Sequence, residues 1–170
     1  EPILPVSSVS GVPEVEIVLT SPLLRCRETA GLLYPRLDPV LIEGFRESDF
    51  GAFEGKNYRE LTGDQDYQAW IDSGGILPFP GGESMASFTA RTKEAFQRAV
   101  EDLMAGEIRR AAMIAHGGTL MAILSSCGIP KQEYYEWNCG NGCGYRVRIE
   151  EDLWKTGKKE CKVEEQLCVF

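Results

Sequence analysis

The single histidine of this 170-residue sequence, His116, closes a short apolar run and opens a glycine pair. Ala111 to Ala115 carries a branched Ile114, Gly117 and Gly118 follow the histidine, and Thr119 leads into Leu120, Met121, Ile123 and Leu124 at helical spacing. That order predicts a buried parallel strand, a tight turn and a helix N-terminus, with His116 at the carboxyl edge of a sheet. Open α/β sheets bind ligands at that edge. An anion placed there would meet the unpaired N–H groups of the next helix, and two glycines let it come close to the backbone. Arg25 is the second candidate. It stands one turn into a helix announced by Thr20-Ser21-Pro22, near enough to that helix's N-terminus to reach over the strand edge.

The elements that must position these side chains follow from the pattern of apolar residues and breakers. Glu1 to Pro13 keeps no period and reads as a loop or arm. Val15 to Leu19 is a second internal strand; Ser21 as N-cap and Pro22 at the first helical position start a helix that runs to about Tyr34, its inner face Leu23, Ala30 and Leu33, until Pro35 stops it. Pro39 to Glu43 is a third short strand. It leads into the loop Gly44 to Gly55, where Phe45, Phe50 and Phe53 act as anchors and Gly51 and Gly55 permit unusual dihedrals.

Tyr58 to Trp70 reads as one or two short helices broken near Gly63, and Gly74 to Gly82 as a loop of the kind that walls a pocket. Glu83 to Met104 is the longest helix, with Met85, Phe88, Thr92, Phe96, Ala99, Val100 and Leu103 on its inner stripe. After the His116 unit, Gly128 to Pro130 ends a helix, Lys131 to Trp137 adds a helical turn or two, and Asn138 to Gly144 is a glycine-dense turn. Tyr145 to Ile149 and Cys161 to Val169 form an antiparallel pair, with a turn over Asp152 to Gly157 between them. The alternation of strands and helices before residue 144 gives an α/β sandwich, a mixed, mostly parallel sheet between two helical layers. Leu19, Gly44 and His116 are expected near one sheet edge.

Length and charge bound the function. A chain of 170 residues fits one domain with an ordinary core. Its net charge of −8 opposes a nucleic-acid partner, and no segment is apolar for long enough to cross a membrane. A cytoplasmic protein acting on a small molecule is expected. The six cysteines read as mostly free thiols of a reducing compartment. Cys139, Cys143, Cys161 and Cys168 lack the close pairs of a four-thiolate zinc site.

Four stretches now carry a resemblance: Thr20-Ser-Pro-Leu-Leu-Arg-Cys-Arg-Glu-Thr-Ala30, Phe45-Arg-Glu-Ser-Asp-Phe-Gly-Ala-Phe-Glu-Gly55, Pro80-Gly-Gly-Glu-Ser84 and Ala115-His-Gly-Gly-Thr119. In order and content they resemble the motifs of the histidine phosphatase superfamily, also called phosphoglycerate mutase-like, and within it the small phosphatase branch of α-ribazole phosphatases and broad phosphomonoesterases. The resemblance implies a three-layer sandwich and a phosphomonoester substrate, with no cofactor and no metal. It implies that Arg25 clamps phosphoryl oxygens, that His116 is a second phosphate ligand, and that Glu47 gives the proton to the leaving alkoxide. Ser84 and Gly117 would line the pocket. A planar guanidinium matches two phosphate oxygens, and a proton donor belongs opposite the attacking nitrogen.

One hallmark is missing. The family's Arg-His-Gly tripeptide, whose histidine attacks phosphorus from the end of the first strand, has no counterpart, because His116 already occupies the later motif. The expectation is therefore a domain over 1–170 without its first strand, its catalytic start lying outside these residues. The alternative is an inactive relative that binds phosphate or a protein partner.

Overall fold

A computed structural model describes residues 11–169, so the expected N-terminal loop lies outside the described residues up to Ser10. The chain divides into two compact units: a larger one built from the chain up to Glu47 and from Thr92 onward, and a smaller one over Ser48–Arg91.

In the larger unit, β1 (Ile17–Thr20) lies between β2 (Val40–Leu41) and β3 (Ala111–Ile114), parallel to both. Val18 and Thr20 are fully buried, as a central strand covered on both faces requires. The register sets Thr20 opposite Leu41 and Ile114, which brings three strand ends to one edge. Helix α1 (Leu24–Leu33) follows β1, and α4 (Gly117–Cys127) follows β3. A second sheet has the order β4 (Gly128–Ile129), β6 (Cys161–Cys168), β5 (Cys143–Arg148), with β5 and β6 antiparallel as expected. The architecture is mixed α/β, a parallel sheet with its helices.

One core serves both sheets. Leu19 from β1, Ala99 from α3 (Met85–Ala105), Ile123, Leu124 and Cys127 from α4, Cys161 from β6, and Phe45 and Trp137 from loops form a single buried cluster. Each large side chain there contributes roughly 1.5–3 kcal/mol by leaving water.

Several local expectations are corrected. Helix α1 begins at Leu24 with Leu23 as its N-cap, two residues later than Ser21. The Ser21 hydroxyl accepts from Leu23 N–H at 3.3 Å and also faces His116, so it holds a turn and does not cap. The turn expected over Asp152 to Gly157 contains a short helix, α5 (Glu151–Lys155), because Trp154 must bury its ring and a helical turn points it inward, edge-on to Phe96. Strand β4, two residues long, stands where the sequence places a helix end; it is too short to show alternation and exists by pairing with β6. Cys143 and Cys168 are joined by a disulfide and are not thiols. The antiparallel register sets them opposite each other with Cα atoms 4.0 Å apart, a proximity invisible in their spacing. Cys26, Cys127, Cys139 and Cys161 are free.

The smaller unit is organised by aromatic rings. Phe53, Leu61 and Phe79 are buried, with Phe50, Tyr67 and Trp70 packed on them. Phe50 and Phe53 meet Phe79 edge-on, and Trp70 stacks on it with ring centroids 5.3 Å apart. Two motif loops touch backbone to backbone: Ala52 N–H donates to Pro80 O and Glu83 N–H to Asp49 O, both at 2.8 Å. A Cβ on Gly51, which has φ +52°, would fall 2.2 Å from Pro80 O, and one on Gly82 would fall 2.5 Å from Asp49 O. Only glycines allow that approach. Glu83 then takes both nitrogens of the Arg91 fork, at 2.8 and 2.9 Å. Asp64 caps α2 (Gln65–Asp72) by accepting from Tyr67 N–H.

Candidate functional site

The carboxyl edge of β1 and β3 gathers four buried polar residues, Thr20, Ser21, His116 and Thr119. Ser21 N–H donates to Ile114 O at 2.9 Å, which extends the β1–β3 pairing by one bond and places Ser21 and His116 side by side. His116 occupies the N-cap position of α4 in extended conformation and is 7% exposed. Its Nε2 lies 2.8 Å from Ser21 Oγ, and Cys26 Sγ lies 3.6 Å from Nε2 and 3.7 Å from Nδ1. Cys26 belongs to the first turn of α1, so β1, α1 and β3 together enclose the ring.

Burial, and after it the charges of Arg25 and Arg46, lower the His116 pKa to about 4. The imidazole is therefore neutral at pH 7, with one ring N–H to donate. Arg25 is exposed in the first turn of α1, and its charge also acts on Cys26. Burial pushes the Cys26 thiol up, Arg25 opposes this, and the carboxylate of Glu47 adds to it. These effects gather Arg25, Cys26, Arg46, Glu47 and His116 into one electrostatic neighbourhood.

Glu47 is delivered by a short 3₁₀ turn, Glu43–Phe45, that follows β2. Two contacts hold this turn: Phe45 is fully buried, and the buried Thr119 hydroxyl donates to Phe45 O at 3.1 Å. Since Thr119 lies in the first turn of α4, the segment before Glu47 is tied to the same helix that carries His116. A Cβ built on Gly118 would fall 2.4 Å from Glu47 Oε1 and 3.3 Å from the Tyr134 hydroxyl oxygen. The Tyr134 hydroxyl donates to Gly118 O at 3.2 Å. Tyr134 opens a 3₁₀ turn, Tyr134–Trp137, braced by a reciprocal Glu133–Glu136 capping box.

The arrangement thus brings together Arg25, Glu47, His116 and the exposed Gly117 at the start of α4. Leu19, Gly44 and His116 share the expected edge. Ser84 belongs to the smaller unit, where its hydroxyl accepts from Ser87 N–H at 3.1 Å and caps α3. From the sequence Ser21 is read only as a helix cap, and Cys26, Arg46 and Tyr134 are given no part in the site. The first three lie inside the quoted motif stretches, which were the available signal; Tyr134 lies 16 residues past Gly118 and carried none. Chemically, the edge offers guanidinium charge, a neutral imidazole N–H and the free amides of a helix N-terminus to an oxyanion, with a carboxyl group nearby for proton transfer.

Comparison with known proteins agrees with this geometry. The model of the histidine phosphatase superfamily, branch 1, matches residues 8–161. The 2,3-bisphosphoglycerate-dependent phosphoglycerate mutase of Nitrobacter winogradskyi is 33% identical over 118 residues, which cover 64% of this chain and 56% of the mutase. The uncharacterized phosphatase PhoE of Bacillus subtilis is 25% identical over 142 residues, covering 82% of this chain and 67% of that protein. The chain therefore spans little more than half the length of the mutase. Among solved structures, the α-ribazole phosphatase of Shigella flexneri superposes with a TM-score of 0.76 at 21% identity, covering 94% of this chain and 76% of that one, which establishes the shared fold.

Proposed function

The chain belongs to the histidine phosphatase superfamily, and from that premise we propose that the complete protein is a metal-independent phosphomonoester phosphatase working through a phosphohistidine. The observation that carries the reading is the convergence of Arg25, Glu47 and His116 on the carboxyl edge of the parallel sheet, at the N-terminus of α4. Arg25 and the α4 amides hold the phosphoryl oxygens, and His116 donates its ring N–H to one of them. A second histidine attacks phosphorus, the P–O bond to the alcohol breaks, and Glu47 gives its proton to the departing oxygen. Water then attacks the phosphoenzyme, Glu47 takes a proton from it, and the P–N bond breaks to release phosphate.

His116 is the only histidine of the 170 residues, so this reading requires a second histidine outside them as the attacking group. Among the described residues β3 pairs with β1 alone. A strand carrying that histidine fits the other side of β3, where it would end beside His116. The phosphatase and mutase names of the relatives lend no support to the inactive alternative.

The test is made on the complete protein with a small phosphomonoester. R25Q and H116Q should each lower kcat/KM by roughly 10²–10³-fold, the loss of one preorganised donor at the transferring group. Quenching in the steady state with radiolabelled substrate should leave an acid-labile label on a histidine. Hydrolysis of an aryl phosphate by the 170 residues alone would eliminate the second histidine. Phosphate or vanadate binding by the complete protein with no turnover would leave only the binding alternative.

A further inference from the structure

Glu47 sits at the end of a loop segment, and a proton donor on a loop needs something to hold its carboxyl group in place. The surroundings of Gly118 show what does so. Position 118 lies in the first turn of α4, and the point where a Cβ would sit is 2.4 Å from Glu47 Oε1 and 3.3 Å from the Tyr134 oxygen. The carboxyl therefore uses space that exists because residue 118 has no side chain. Tyr134 closes the other side. Its hydroxyl hydrogen is committed to Gly118 O at 3.2 Å, which fixes the phenol against α4 and turns its oxygen lone pairs toward the remaining neighbours.

Two further contacts stiffen Tyr134: the ring of Tyr135 meets it edge-on at 5.0 Å, and the Glu133–Glu136 box braces the turn it opens. Burial and the adjacent Glu47 charge push its phenol up, so it stays protonated and keeps the bond to Gly118.

We infer that Tyr134 is a positioning residue for Glu47, holding its carboxyl over the bare Cα of Gly118 in the orientation from which the leaving alkoxide is protonated. This inference rests on the proposed role of Glu47 as proton donor. It assigns Tyr134 no contact with substrate, and it makes Gly118 a requirement of the acid, apart from any approach of phosphate to the backbone. Alanine is the better helix former, so the expected defect of G118A is one of geometry and not of folding.

The experiment uses the complete protein and a pair of substrates, an alkyl phosphate with a poor leaving group and p-nitrophenyl phosphate with a good one. E47Q should lower kcat on the alkyl ester by roughly 10²-fold and spare the nitrophenyl ester. Y134F should lower kcat on the alkyl ester by about 10-fold, with KM and the nitrophenyl rate within about 2-fold. G118A should behave as E47Q does. Adding Y134F to E47Q should cost nothing more, since the tyrosine acts through the glutamate. The ¹³C carboxyl resonance of Glu47, assigned by its loss in E47Q, should shift in Y134F and in G118A.

Equal loss on both esters in Y134F, or additive loss in the double variant, would overturn the inference, as would an unchanged Glu47 resonance. An E47Q variant with no leaving-group dependence would instead overturn the proton-donor reading. A Glu47 resonance that still moved in Y134F would then leave the positioning contact standing without its catalytic purpose.

Discussion

The edge around His116 and the aromatic cluster of Ser48–Arg91 are built on opposite plans. At the edge, the polar side chains come from four separated stretches, at Ser21 to Cys26, Arg46 and Glu47, His116 to Thr119, and Tyr134. Ser21 meets His116, and the stretches are tied together by long-range bonds to backbone carbonyls, Thr119 to Phe45 O and Tyr134 to Gly118 O. The aromatic cluster draws its rings from a single run between Phe50 and Phe79, and its closest contacts are between backbones at Gly51 and Gly82. The lesson is about tolerance. A ring cluster can re-pack around a changed side chain, whereas its glycine crossing cannot; a polar edge keeps its fold when a partner is lost, but it loses its electrostatic setting.

The largest break in this comparison is expected at the crossing. G51A adds a Cβ 2.2 Å from a carbonyl oxygen at a backbone with φ +52°, and should cost about 4 kcal/mol. Hydrogen exchange should show it as lost protection of the Ala52 amide, which bonds Pro80 O, while amides of β1 and β3 keep theirs. Unchanged protection at Ala52 would mean that the crossing is not what holds the loops.

At the edge the break is made by acid. The His116 pKa is about 4 in the fold, against 6.5 unperturbed. Between those values the unfolded chain binds a proton that the folded chain refuses, so stability falls as pH drops from about 6.5 to 4 and is level with respect to this group outside that window. The loss attributable to His116 is at most about 3 kcal/mol. Comparing denaturant midpoints of wild type and H116Q across the window isolates it, since the carboxylates titrate in both; parallel curves would refute the burial argument.

The smallest effect sharpens the contrast. S21A removes the hydroxyl 2.8 Å from His116 Nε2 and should cost about 1 kcal/mol. The His116 ring resonances should move with it, while the fluorescence of Trp70, in the aromatic cluster, stays the same. A shifted Trp70 emission would show that the two regions are not separate in this respect.

How much of this was legible from sequence follows the same division. The strands ending at Thr20 and Ile114 and the helix after His116 were visible, because short apolar runs before turn residues state their own ends. Arg25 and His116 are marked by their own surroundings in the sequence, and Glu47 only by the resemblance of its loop to a family motif. Their grouping at one edge follows from parallel register, which the pattern implies. Tyr134 was not visible, because nothing local marks a tyrosine whose hydroxyl reaches a helix turn 16 residues back. The Cys143–Cys168 bond was hidden for a related reason: 25 residues separate the cysteines, and only strand register sets them opposite. The start of α1 was misplaced because Ser21 meets every local criterion for a cap, yet a buried histidine competes for its hydroxyl.

The four free sulfurs stand at graded depth, and that makes them clocks for the opening of separate parts of the molecule. Cys139 is half-buried near the surface, Cys26 is sealed beneath the His116 ring, and Cys127 and Cys161 share a contact of 3.3 Å in the core. An alkylating reagent reaches a thiol only as fast as the covering structure parts. Cys139 is thus the reference for reagent strength, and Cys26 times the loosening of the edge alone. The core pair times nothing short of the separation of α4 from β6, so one reagent and a mass spectrum read three depths of breathing in a single sample.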